Sequence, residues 1–130
     1  MSRHWAEDFV GLPYGSADCA LLVERVLKER LGFAVTLPTE ARWGECTEAQ
    51  ARDVIIDMGK RVETLRECDA VLMRQRGAKR DTGTHIGLWV DVQGQAWVLH
   101  AVQSRGAILT PLRSLAAIGY EVEGIYRWTE

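Results

Sequence analysis

The chain has 130 residues, 47% of them hydrophobic, enough to bury a core, and it reads as a single domain over residues 1–130. Sixteen basic and 18 acidic residues leave a net charge of −2, with no block of like charge that would suit a nucleic-acid arm or an anionic membrane patch. The three cysteines, Cys19, Cys46 and Cys68, are widely spaced without a CxxC pair, which argues against a disulfide framework and a zinc ribbon, and no stretch approaches the ~18 apolar residues of a membrane span.

The opening segment MSRHWAEDFVGLPY has neither the apolar run nor the cleavage site of a signal peptide, so a protein made in the cytoplasm without export is expected. His4, in a segment with no visible anchor, reads as solvated. The turn formers of GLPYGSAD lead into a helix over Asp18–Leu31, where Leu22, Val23, Val26, Leu27 and Leu31 make an apolar stripe and Glu24, Arg25, Lys28 and Glu29 the other face. Gly32 suits its C-terminal cap. Beyond Pro38, Thr47 and Gln50 form a capping box for a second helix that turns Ala51, Val54, Ile55 and Met58 inward and closes at Gly59.

After Lys60 the period shortens. The runs at 68–73, 84–92, 95–102, 106–110 and 121–128 are rich in Val, Ile, Leu and Trp and separated by turn formers, which predicts five strands. RQRGAKRDTG at 74–83 reads as an exposed loop, and PLRSLAAIG at 111–119 as the one helical interruption. Helices followed by a largely antiparallel sheet make an α+β pattern.

Two of the three histidines, His85 and His100, fall in consecutive strands joined through DVQGQA. With Gln93 and Gly94 as a two-residue turn, Val92 pairs with Gln95, Gly87 faces His100 and His85 faces Val102. Alternation then puts both imidazoles on one face as diagonal neighbours, about 7–8 Å apart at Cα, with Gly87 leaving room between them and Ile86, Leu88 and Val90 covering the other face. Trp89 shares the histidine face, where it can line a groove.

Cys19 stands at a helix start, where the helix dipole and a neighbouring imidazolium both favour the thiolate. If the histidine face meets that start, Cys19 is a nucleophile, His85 a base and His100 its orienting partner, with backbone amides of the helix start for the oxyanion. Asp18 serves equally as the helix N-cap or as a substrate contact. Cys46 and Cys68 read as buried core thiols. One thiolate and two imidazoles would also suit zinc, but the ligands come from distant segments without a local chelating pair, so neither metal nor cofactor is expected.

Three ordered blocks resemble the NlpC/P60 cysteine peptidases, especially their short phage and prophage tail members. FVGLPYGSADCALLVERVLKERLG is similar to the family's turn, nucleophile and first helix, CDAVLM with THIGLWVD to its leading strands and histidine base, and WVLHAVQSRGAI to the strand bearing the third polar residue. The resemblance implies a papain-like α+β fold, with N-terminal helices packed on a largely antiparallel sheet of about five strands. It also implies hydrolysis of an amide bond in peptidoglycan stem peptides, commonly next to D-glutamate. Cys19 matches the nucleophile, His85 the base, His100 the third member, Tyr14 the tyrosine beside the active site and Asp18 the acidic residue before the cysteine. Ala20 and Leu21 stand where many members have Ser and Gly, and CDAV replaces a frequent Gly-Asp turn.

The implied role is a tail-delivered cell-wall hydrolase whose partners are peptidoglycan peptides and phage tail proteins, with no nucleic acid and no membrane insertion. An amidase or acyltransferase would use the same thioester, and a catalytically idle tail-assembly module is the alternative from another class.

Overall fold

The computed structural model describes residues 4–12, 19–32, 55–56, 59–63, 65–76, 84–102 and 105–128. Among these, six strands carry the fold: β1 (Gly59–Arg61), β2 (Ala70–Gln75), β3 (Thr84–Val92), β4 (Gln95–Val102), β5 (Gly106–Pro111) and β6 (Tyr120–Trp128). They form one antiparallel sheet in the order β1-β6-β2-β3-β4-β5. Strands β2 to β5 follow one another as a meander. The chain then returns across the sheet so that β6 pairs with β2 on its free side.

This corrects the expected papain-like α+β arrangement of several helices on about five strands. The molecule is mostly antiparallel sheet, and among the described residues its one extended helix is α1 (Cys19–Leu31). Two local causes account for the difference. Gly59, expected to close a helix, instead opens β1, whose residues pair with Trp128, Arg127 and Tyr126, and whose sequence Gly-Lys-Arg offers no apolar alternation to read. PLRSLAAIG is too short between its proline and its glycine for a packed helix, and it forms two 3-10 turns, Leu112–Ser114 and Ala116–Ile118, ended by Gly119 at φ 93°. Of the second predicted helix, Ile55 and Ile56 are helical and Ile55 is buried, while Thr47, Gln50 and the remainder lie outside the described residues.

The central strands are buried on both faces. On one face Leu22, Val23, Val26 and Leu27 of α1 pack with Leu72, Ile86, Leu88, Val90, Leu99 and Ala101, as the helical stripe predicted. Leu31, assigned to the same stripe, is 55% exposed because it closes the helix a full turn beyond Leu27, past the edge of this core. On the other face the returning segment covers the sheet. Leu115, with Leu112 beside it, packs against Val71, Met73 and Val98, and Trp89 and Tyr120 flank the cluster.

The N-terminal residues hold the outer edge of β5. Gly11 N donates to Ala107 O and Ala107 N to Leu12 O, both at 2.9 Å, which supplies part of the edge strand's missing ladder. His4 is accordingly anchored, with its side chain still 21% exposed. Its Nδ1 accepts from Ala6 N at 3.1 Å as the cap of a 3-10 turn, Trp5–Asp8, and its Nε2 lies 2.9 Å from Asp91 O, to which it donates. At the opposite side of the sheet, Asp69 is 2% exposed and accepts two hydrogen bonds from the Arg127 guanidinium, at 3.0 and 3.1 Å, and one from Arg66 N. Among the described residues, no helix is long and apolar enough to cross a membrane.

Candidate functional site

The β3–β4 hairpin has the register counted from the sequence. Val92 pairs with Gln95 and Gly87 with His100, around a turn in which Gln93 and Gly94 take φ of 52° and 82°. Positive φ at both central positions is the turn geometry whose twist suits adjoining strands. His85, Gly87 and His100 therefore share a face. A Cβ on Gly87 would lie 2.6 Å from Val98 Cγ1, 3.0 Å from Leu99 O and 3.1 Å from His100 Cβ, so a residue without a side chain is needed for the strands to approach here.

Diagonal neighbours reach each other across the ladder. His85 Nε2 lies 2.8 Å from His100 Nδ1, and His100 Nε2 lies 2.9 Å from Thr110 Oγ1. Each step moves one strand over and two residues along, because His100 pairs with Ile108 and Val98 with Thr110. Thr110 was not among the predicted site residues. Counting the same alternation across the β4–β5 connection would have placed it.

Tyr120, at the start of β6, was also missed, because it arrives through the long return connection. Its ring stacks on His85 with centroids 4.6 Å apart and planes 20° from parallel, and it meets His100 edge-on at 6.0 Å. His85 is 5% exposed and His100 fully buried. Burial, assisted by His100, pushes His85 down to about 3, and burial pushes His100 down to about 4, so both rings are neutral at pH 7.

Two proton arrangements fit these distances. When His100 donates from Nε2 to Thr110, its Nδ1 accepts from His85 Nε2–H and the Nδ1 of His85 carries a free lone pair. When the Thr110 hydroxyl donates instead, the order reverses and His85 keeps its proton on Nδ1. Only the first arrangement makes His85 a base at Nδ1, and among the described residues that nitrogen has no hydrogen-bond partner.

Of the predicted site residues, His85 and His100 are brought together. Cys19 begins α1, as expected, but its side chain lies outside the described residues, as do Tyr14, Asp18 and Cys46. The apolar stripe of α1 packs on the sheet face opposite the histidines, and the segment that covers the histidine face is the return connection. Cys68 is core, as predicted: it is 2% exposed, and burial pushes its thiol up to about 11. Trp89 packs against the second core, and its buried Nε1 has no hydrogen-bond partner among the described residues. Among the described residues, no three His, Cys, Asp or Glu side chains gather as metal ligands.

Compared with known proteins, the chain matches no family model and no curated sequence.

Proposed function

We propose that this protein is a cysteine peptidase that cleaves an amide bond in peptidoglycan stem peptides, with Cys19 as nucleophile, His85 as base and His100 as its orienting partner. The observation that carries the reading is the 2.8 Å contact from His85 Nε2 to His100 Nδ1, which, in the arrangement where His85 donates, leaves its Nδ1 lone pair to take a proton. The ordered resemblance of three sequence blocks to NlpC/P60 peptidases supports the substrate class and a phage-tail setting. Cell-wall delivery by a tail is part of the same proposal, with tail proteins as partners.

The chemistry follows from ordinary thiol acyl transfer. His85 Nδ1 takes the Cys19 proton as sulfur attacks the amide carbonyl, and the protonated ring holds its new charge through Nε2–H to His100. Collapse of the tetrahedral intermediate breaks the C–N bond, and His85 returns the proton to the leaving amine. Water, deprotonated by the same nitrogen, then hydrolyses the thioester to a carboxylate and regenerates the thiol.

The near-complete burial of both imidazoles favours a second reading, an inert assembly module in which the pair is only a satisfied polar network. Incubation with purified peptidoglycan, with fragments identified by mass, separates the two. Wild type is expected to release amide-cleaved fragments, and Cys19→Ser and His85→Ala to release none. Equal release by all three proteins removes the catalytic assignment, and no release by any favours the assembly module.

A further inference from the structure

A recess of about 190 Å³ opens beside the histidines, lined among the described residues by Val102, Arg105, Ile108, Ile118 and Tyr120. Its position is set by the register. Val102 lies two residues beyond His100 on the same face of β4, Ile108 pairs with His100, and Tyr120 is the ring stacked on His85. The recess is therefore one aromatic ring away from the proposed base. Its far wall is Ile118, from the second 3-10 turn of the return connection, and this large apolar side chain is left 44% exposed.

The lining is of two chemical kinds. Val102, Ile108 and Ile118 offer aliphatic surface, and Arg105 brings the only formal charge among these lining residues. Arg105 sits in the β4–β5 turn, where its N–H donates to Val102 O at 3.0 Å, and its guanidinium makes no ion pair among the described residues. A guanidinium among aliphatic lining residues is matched by a carboxylate, which it can hold by two parallel hydrogen bonds. Pockets for drug-sized ligands run to roughly 300–1,000 Å³, so this smaller volume suits a single amino-acid-sized group.

We propose that this recess is a carboxylate-selective peptide pocket, which takes a small aliphatic side chain against Val102, Ile108 and Ile118 and holds the same residue's free carboxylate through Arg105. As the grip on substrate beside the cleaved bond, it rests on the peptidase reading and narrows it to peptides with an unamidated carboxyl at that residue.

The test measures binding apart from turnover. The full chain carrying Cys19→Ala is titrated calorimetrically with acetyl-alanyl-alanine and with its C-terminal amide, alone and with Arg105→Ala, Arg105→Lys or Ile118→Asp added. The acid is expected to bind about tenfold or more tightly than the amide, and Arg105→Ala to abolish that preference. Arg105→Lys should keep part of it, and Ile118→Asp should weaken both ligands. Equal binding of acid and amide, or a preference that survives Arg105→Ala, overturns the proposal. A preference for the acid in a protein whose wild type releases no wall fragments removes the peptidase and leaves the pocket. Fragment release without the preference does the reverse.

Discussion

Tyr120 lies flat against His85, with 4.6 Å between ring centroids and 20° between planes. The contact joins the last strand to the third, and it fixes the plane of the imidazole that the proposed chemistry requires. A stack of this kind contributes about 0.5–1.5 kcal/mol beyond burial. Tyr120→Ala is therefore expected to lower the urea midpoint and to slow acylation by loosening the base, while Tyr120→Phe retains the ring and most of both properties. Equal losses in the two variants would assign the role to the hydroxyl instead.

Gly87→Ala tests the close approach of β3 and β4. Its new methyl would meet Val98 Cγ1 at 2.6 Å, which can rotate, but also Leu99 O at 3.0 Å, which belongs to the ladder. Overpacking of this type costs about 1–3 kcal/mol, and the backbone contact puts this variant toward the upper end. Urea unfolding followed by tryptophan fluorescence measures it, and a loss below about 0.5 kcal/mol would show that the strands separate easily here.

The histidine pairing was legible because it depends on local geometry: strand alternation, and a Gln93–Gly94 turn of fixed length. Likewise, α1 announced itself by its apolar spacing. What escaped the sequence depends on partners far along the chain. Lys60 and Arg61 become strand only because β6 presents Arg127 and Tyr126 to them. Tyr120 reaches His85 only after Leu112 and Leu115 have carried the chain back over Val71, Met73 and Val98. His4 likewise finds Asp91 O only once the N-terminal segment is laid against the β3–β4 hairpin.

Cys68 should be inert in the folded protein. With its thiol pushed up to about 11 and the residue 2% exposed, only about one molecule in a thousand carries the thiolate at pH 8, and that sulfur is also shielded. Iodoacetamide at pH 8, followed by peptide mass mapping, is expected to leave Cys68 unlabelled in native protein and to label it in 8 M urea. An activated Cys19 should label at least tenfold faster, with a rate that His85→Ala reduces. Native labelling of Cys68 would contradict its burial, and labelling of Cys19 no faster than that of Cys68 would contradict its activation.

The buried histidine pair makes the fold sensitive to acid. Both groups bind protons less readily folded than unfolded, since their folded values of about 3 and about 4 lie below the ordinary 6.5. The unfolded chain thus takes up protons first as pH falls, and stability is full above about 6.5 and declines toward the folded values. Each ring withdraws roughly 1 kcal/mol per pH unit across that window. Urea midpoints at pH 7.5 and 4.5 should show the fall, and His85→Gln with His100→Gln should flatten it even if the double variant starts less stable. A wild-type midpoint that does not drop between these pH values would mean that the rings are accessible to protons in the native state.

Thr110 decides which way the proton chain points. In Thr110→Val the shape is nearly kept, but His100 Nε2 loses its one hydrogen-bond partner among the described residues, at 2.9 Å, inside a fully buried environment. A buried N–H without an acceptor costs about 1–3 kcal/mol, so His100 is expected to move its proton to Nδ1 and donate to His85 Nε2. His85 then carries its proton on Nδ1 and cannot accept one from a thiol there. The predicted outcome is a fall in kcat of about tenfold to a hundredfold with KM little changed, and recovery in Thr110→Ser, which restores the hydroxyl. Nitrogen-15 NMR of the two imidazoles reads the same event without substrate: wild type should show His85 protonated at Nε2, and Thr110→Val at Nδ1. Identical tautomers in the two proteins would confine Thr110 to packing.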